Sequence, residues 1–446
     1  MHSMPDLSEA PPKITADEQV LFLDKASRLS MDVLKCCFYL NQPELTQGHF
    51  TKKLYSKCIG TSMVLEDFLD FHGAKNSTTW FFYRELTATI RHLSLAGYCQ
   101  IHINSRLGFY NLPDSDQFAQ KGLAAGTFVN SCLVRLAPVL IKEAQRLKIA
   151  MPETRFTSTN FPSIITPQML KSDIGDQAGD TQQRHIVVIA SEFLSIADRF
   201  EELSFFEPYS REQIERLVPR RVNEVEIRRF EMLVHNLQSA FDTYVIYGGL
   251  RLADTKIKRL RSFFSIVFHL LQFIGRLLHL YERHLHEAGY KDIYKKVQDQ
   301  LVSIIEPATL LDHCINYGLF YVCHYLNRGR DLAREILNEN IARTRIRVGI
   351  PIKLGFHSRP SLLVAKIVQH YGGQVDLVVG EDRFDASSVL DIQWAGGKIH
   401  KENITEVEFE GDSRALRDIE ILSKVNYGED TMGKGVPLPN ELDYLR

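Results

Sequence analysis

The chain has 446 residues, 44% hydrophobic and 24% charged, the proportions of a folded globular protein rather than a disordered one. At about 150 residues per domain there is material for about three domains. With 53 Lys+Arg against 55 Asp+Glu, no net field draws in nucleic acid or an anionic membrane, and composition favours a protein or small-molecule partner. Seven cysteines, an odd number without a CxxC pair, indicate neither a disulfide framework nor a zinc module and fit a reducing, cytoplasmic compartment.

Residues 1–15 are polar and proline-containing, lack the apolar core of a secretion signal, and are expected as a disordered leader. From 16 to 150 a helical domain is expected, because apolar residues recur every three or four positions over Glu18–Leu40 and Gly122–Leu147. One insert, Tyr98–Asn111, carries Ile101 and Ile103 in alternation ahead of an Asn104-Ser105-Arg106 turn and is expected as a small β-hairpin. Residues 151–184 lose periodicity and fill with Pro, Ser, Thr, Gly, Asp and Gln, a linker or long loop. Helical periodicity returns over 185–344, expected as a second helical bundle domain, with segments such as Ile186–Leu203, Ser210–Leu217, Val222–Leu252, Thr255–Ala288 and Tyr290–Ile304. No 20–50-residue period repeats, which argues against a solenoid.

Ser262–Tyr281 is long and apolar enough to suggest a membrane span. Yet Ser262, Ser265, His269, Gln272, Arg276, His279 and Arg283 follow at steps of three or four and form one polar stripe, costly in lipid, so a central bundle helix is expected. The stripe offers His269, Arg276 and His279 to an anion, but a solvated or hydrogen-bonded helix face is the commoner meaning. The two histidines of His313-Cys314 and Cys323-His324 stand about 16 Å apart along a helix and cannot share an ion. His279, Glu282, His284 and His286 lack an HExxH or ExxH spacing. No metal and no cofactor are therefore expected.

After Arg345 the pattern changes to βαββαβα: strands Ile346–Ile350, Val375–Val379, Asp382–Asp385 and Glu406–Glu410, with helices Ser358–His370, Ser388–Trp394 and Ser413–Val425. Residues 345–428 are thus expected as an α+β domain with helices on one face of an antiparallel sheet, and 429–446 as a tail. Within it lies Gly355-Phe356-His357-Ser358-Arg359-Pro360. Gly355 permits a tight turn, His357 stands at the helix start and Pro360 takes a first-turn place where its missing N–H costs nothing. An imidazole is substantially neutral and nucleophilic near neutral pH. The first-turn amides, including that of Ser358, and the Arg359 guanidinium suit a transferred phosphoryl group.

GFHSRP resembles the GLHxRP-type signature of the HPr phosphocarriers of the bacterial phosphotransferase system, and the resemblance covers about Arg345 to Tyr427. It implies an open-faced α+β sandwich in which His357 takes a phosphoryl group on Nδ1 and Arg359 stabilises it. The implied partners are an enzyme I-like phosphodonor and a phosphoryl acceptor protein. It further implies a regulatory serine at Ser388, 31 residues after His357, and a docking face including Val389 and Leu390. Trp394, bulky beside that face, is expected to pack on the helical region or on a second copy, which allows a homo-oligomer. The expected protein is a cytoplasmic phosphorelay component, with no nucleic acid and no membrane span; the alternative is a regulatory protein using the same domain only to dock partners.

Overall fold

The computed structural model describes residues 16–110, 112, 114–164, 170, 182–201, 203, 205–246, 255–286 and 291–445. The expected leader 1–15 and most of the second half of the expected linker lie outside them. The fold is mostly helical with one small antiparallel sheet near the C-terminus. In chain order the helices are α1 Ala16–Leu40, α2 Lys52–Phe71, α3 Phe81–Tyr110, α4 Ser115–Arg146, α5 Gln182–Glu201, α6 Arg211–Leu217, α7 Glu224–Phe241, α8 Thr255–Leu280, α9 Asp292–Ile304, α10 Pro307–Asp312 and α11 Phe320–Asn340. There follow β1 Arg343–Gly349, α12 Ser358–Tyr371, β2 Val375–Val379, β3 Asp382–Asp385, α13 Val389–Lys401, β4 Glu406–Asp412 and α14 Ser413–Lys424.

The chain divides into two compact units. One takes Met1–Lys171, Glu207–Glu231 and Phe268–Val322; the other takes Ser172–Phe206, Met232–Val267 and Cys323–Arg446. In the first, α1 packs on α2, α2 on α3, α3 on α4, and α4 back on α1, a closed four-helix arrangement. Its interior is mostly apolar but holds a charged network: buried Arg84 reaches Glu66 (2.9 Å), Glu85 (2.9 Å) and Asp70 (2.7 Å), while Arg91 reaches Glu66 at 2.5 Å. Such a network persists because each buried charge has a charged partner.

Tyr98–Tyr110, expected as a hairpin, instead continues α3. Ile103 is buried, and buried Gln100 accepts from the Tyr317 hydroxyl at 3.0 Å. Two alternating isoleucines do not outweigh the packing of a long helix. Phe161, in the described part of the expected linker, is buried against Tyr39 with ring centroids 4.9 Å apart.

Among the described residues two helices are long and apolar enough to cross a membrane, Ser115–Arg146 and Lys256–His286; in the second, 78% of the apolar window is buried inside the protein, as in a core helix.

In the second unit the strands run β1-β4-β2-β3, all antiparallel. Alternation along β4 explains the layering: Val407 and Phe409 are buried beneath the helices, whereas Glu408 and Glu410 face outward to Arg347 (2.8 Å) and to Arg345 and Arg383 (3.0 and 2.7 Å). α12, α13 and α14 cover the inner face through residues such as Val364, Ile367, Ile392, Leu416 and Ile419. α13, expected to end at Trp394, runs on through Gly396 and Gly397 to Lys401, since Ile399 one turn later is buried in the same core.

The sheet is tied to α5 and α11 within this unit. The Gln374 amide donates to Asn338 Oδ1 at 2.8 Å, and Arg414 Nη1 donates to Ser191 Oγ at 3.3 Å. Gly372 ends α12 with φ +71°, and a Cβ there would stand 2.7 Å from Leu194 Cδ1, so both the turn and the contact require glycine.

Candidate functional site

His357 stands at the head of α12 because the chain turns sharply out of the β1 loop: Gly355 takes φ +60°, and the His357 amide donates to the Gly355 carbonyl at 2.8 Å. Phe356 is buried edge-on against Tyr427 (5.2 Å) and Ser361 donates to the Phe356 carbonyl at 3.0 Å, which anchors both sides of the imidazole. His357 caps nothing with its own side chain, which is 27% exposed. The N–H groups of Ser358 and Arg359 start the helix without intrahelical acceptors, and Pro360 has none to satisfy.

The residue that sequence reading missed is Glu429. Its side chain is 3% exposed, and its Oε2 lies 3.0 Å from His357 Nε2. Against a carboxylate that only accepts, Nε2 is the nitrogen that donates, and in the neutral imidazole Nδ1 then keeps the lone pair. Among the described residues Glu429 Oε1 has no hydrogen-bond partner although it is buried.

Of the segment 429–446, expected as a tail, the described residues 429–445 fold back to build this wall. Ile352 N–H donates to Asn426 Oδ1 at 3.0 Å, Tyr427 donates to the Gly349 carbonyl at 2.8 Å, and Glu429 bridges Gly435 across a turn held by Asp430. Leu442 and Leu445 join the core beneath it. The exposed Arg359 guanidinium lies flat on that turn: a Cβ on Gly435 would fall 2.0 Å from Arg359 Nη1. Among the described residues Arg359 forms no ion pair.

Ser358 is exposed in the first turn. Ser388 is the N-cap of α13, its Oγ accepting from the Asp391 amide at 3.3 Å. Leu390 and Trp394, one turn apart on α13, are 63% and 69% exposed, while Val389 is half-buried against the core. Trp394, expected to pack on the helical region or on a second copy, leaves its side chain exposed here. Ile352 and Leu354, in the loop before His357, are exposed as well.

The polar stripe of α8 does not gather around one anion. His269 Nδ1 pairs with Gln272 at 3.1 Å, and His279 Nδ1 with Glu224 at 2.8 Å. Burial lowers the pKa of both imidazoles, against the opposing pull of these partners. Cys314 and Cys323 are buried thiols whose pKa burial pushes up, to about 12 for Cys323.

Comparison with protein-family models, curated proteins and solved structures finds no match for this chain.

Proposed function

We propose that the chain is a cytoplasmic phosphoryl carrier of the HPr-like kind, accepting a phosphoryl group on His357 Nδ1 from an enzyme I-like donor and passing it to an acceptor protein. The observation that carries this reading is the pairing of His357 Nε2 with buried Glu429 at 3.0 Å, at the start of a helix whose third side chain belongs to Arg359's neighbour Pro360. In the transfer, the Nδ1 lone pair forms the new N–P bond while the donor's bond to phosphorus breaks, its electron pair leaving with the donor. The Nε2–H stays on the ring, and Glu429 meets the positive charge that the ring acquires. The free first-turn amides and Arg359 face the incoming oxygens with positive charge. The succession βαββαβα over 343–424 supports the same reading. Leu390 and Trp394 supply an apolar docking face, and Ser388 remains the candidate for regulatory phosphorylation.

Incubation with enzyme I and labelled phosphoenolpyruvate tests this directly. An acid-labile, alkali-stable label lost in His357→Ala is the expected result. No label, or equal label in the variant, would leave the alternative, a domain that docks partners through the exposed α13 face without turning over.

A further inference from the structure

The first unit contains a histidine cluster that the C-terminal reading leaves unused. His92 on α3 meets His279 at the end of α8 and His284 just beyond it; one candidate ligand atom from each lies within 4.8 Å of the other two. His279 and His284 are five residues apart, which on an α-helix separates them by about 140°. The chain from Tyr281 to His286 is instead a π-helical turn, where bonds run from i to i+5 and residues five apart stack. That widening brings the second imidazole round to the side of the first.

Each of these two rings is held from behind. His279 Nδ1 lies 2.8 Å from Glu224 Oε1, and His284 Nδ1 lies 2.6 Å from Glu85 Oε2, both carboxylates buried. Nδ1–H donated to a carboxylate leaves Nε2 as the nitrogen with a lone pair, the arrangement that orients histidine ligands. His92 is 1% exposed, and among the described residues neither of its ring nitrogens has a hydrogen-bond partner. The cluster opens on one side: His279, His284, Glu85 and Glu224 line a cleft of about 780 Å³.

We propose that His92, His279 and His284 bind one divalent late transition-metal ion, with zinc the best fit, leaving a coordination position toward the cleft for water. Three neutral nitrogen ligands with an open fourth place suit zinc, cobalt or nickel and not the oxygen-seeking calcium or magnesium. Glu85 and Glu224 act as positioning residues. The 4.0 Å stack of His92 on His279 opens as both rings turn their nitrogens to the ion.

The full chain, stripped with a chelator and titrated with Co²⁺, is expected to take up one saturable equivalent with a visible ligand-field band that Zn²⁺ displaces. X-ray absorption of the zinc-loaded native chain should show three imidazoles at about 2.0 Å. His92→Gln should lose at least tenfold in affinity, and Glu85→Gln or Glu224→Gln about 10–100-fold, whereas His357→Ala should bind as the parent does. No saturable uptake by the native chain overturns the proposal. So does a zinc shell with two or fewer imidazoles, which decides the matter even where His92→Gln fails to fold. Unchanged affinity in a folded His92→Gln variant overturns it equally.

Discussion

The His357 site and the His92 cluster use the same part, an imidazole with one ring nitrogen fixed by a buried carboxylate, and differ in how many such rings converge. At His357 there is a single ring, 27% exposed, with Arg359 two residues on and helix amides beside it. In the cluster three rings converge, one of them fully buried, and the carboxylates Glu85 and Glu224 stand behind rather than in front. A single, partly exposed ring suits a group that arrives and leaves; three imidazoles within 4.8 Å of one another suit a resident ion.

The sharpest way to break this comparison is to exchange the losses. His357→Ala should abolish phosphoryl labelling, whereas His279→Gln should leave labelling intact; label that survives the first or vanishes in a folded second variant would mean the two sites are misassigned. Glu429→Gln comes next. It keeps the shape but removes a charge-assisted bond worth about 1.5–3 kcal/mol, so phosphoryl acceptance should slow by about 10–100-fold, read in a single-turnover assay. Arg359→Ala should slow transfer by about tenfold with the fold intact by circular dichroism, since the guanidinium is exposed and holds no ion pair among the described residues. Unchanged kinetics would remove it from the site. Leu390→Glu should weaken association with the phosphodonor while thermal stability changes little, because that side chain is 63% exposed; unfolding would assign it to the core instead. The smallest effect belongs to Gly435→Ala: its Cβ would displace the tip of Arg359, a flexible side chain, so stability should stay within about 0.5 kcal/mol while transfer slows partway toward the Arg359→Ala rate.

What was legible in the sequence was what lies close together along it. β2 and β3 match their expected limits, and α12 extends the expected helix by one residue, because alternation and a proline at the first turn are local signals. His357 and Arg359 were found through a hexapeptide. Glu429, 72 residues from His357, has no such mark, and nothing in residues 429–446 distinguishes a wall of the site from a tail. Gly435 gives a weak signal at most. For the cluster, His279, Glu282, His284 and His286 lack an HExxH or ExxH spacing, a test that looks along one α-helix; the chain here passes into a π-turn, and His92 arrives from another helix. Two isoleucines at Ile101 and Ile103 suggested a strand where the buried face of α3 continues.

α12 begins at His357 and ends at Gly372, where its last turn rests on Leu194 of α5, with Leu337 of α11 within 3.4 Å of a Cβ placed there. Fourteen residues at 1.5 Å each make a rod about 21 Å long. It is placed as a strut: its head carries His357, the residue proposed to take a phosphoryl group, and its foot stands against Leu194. A displacement of the head therefore has α5 as one path, beside the sheet that α12 covers. Amide exchange along Ile186–Phe200 is accordingly the place to look for an echo of chemistry at the far end of the rod.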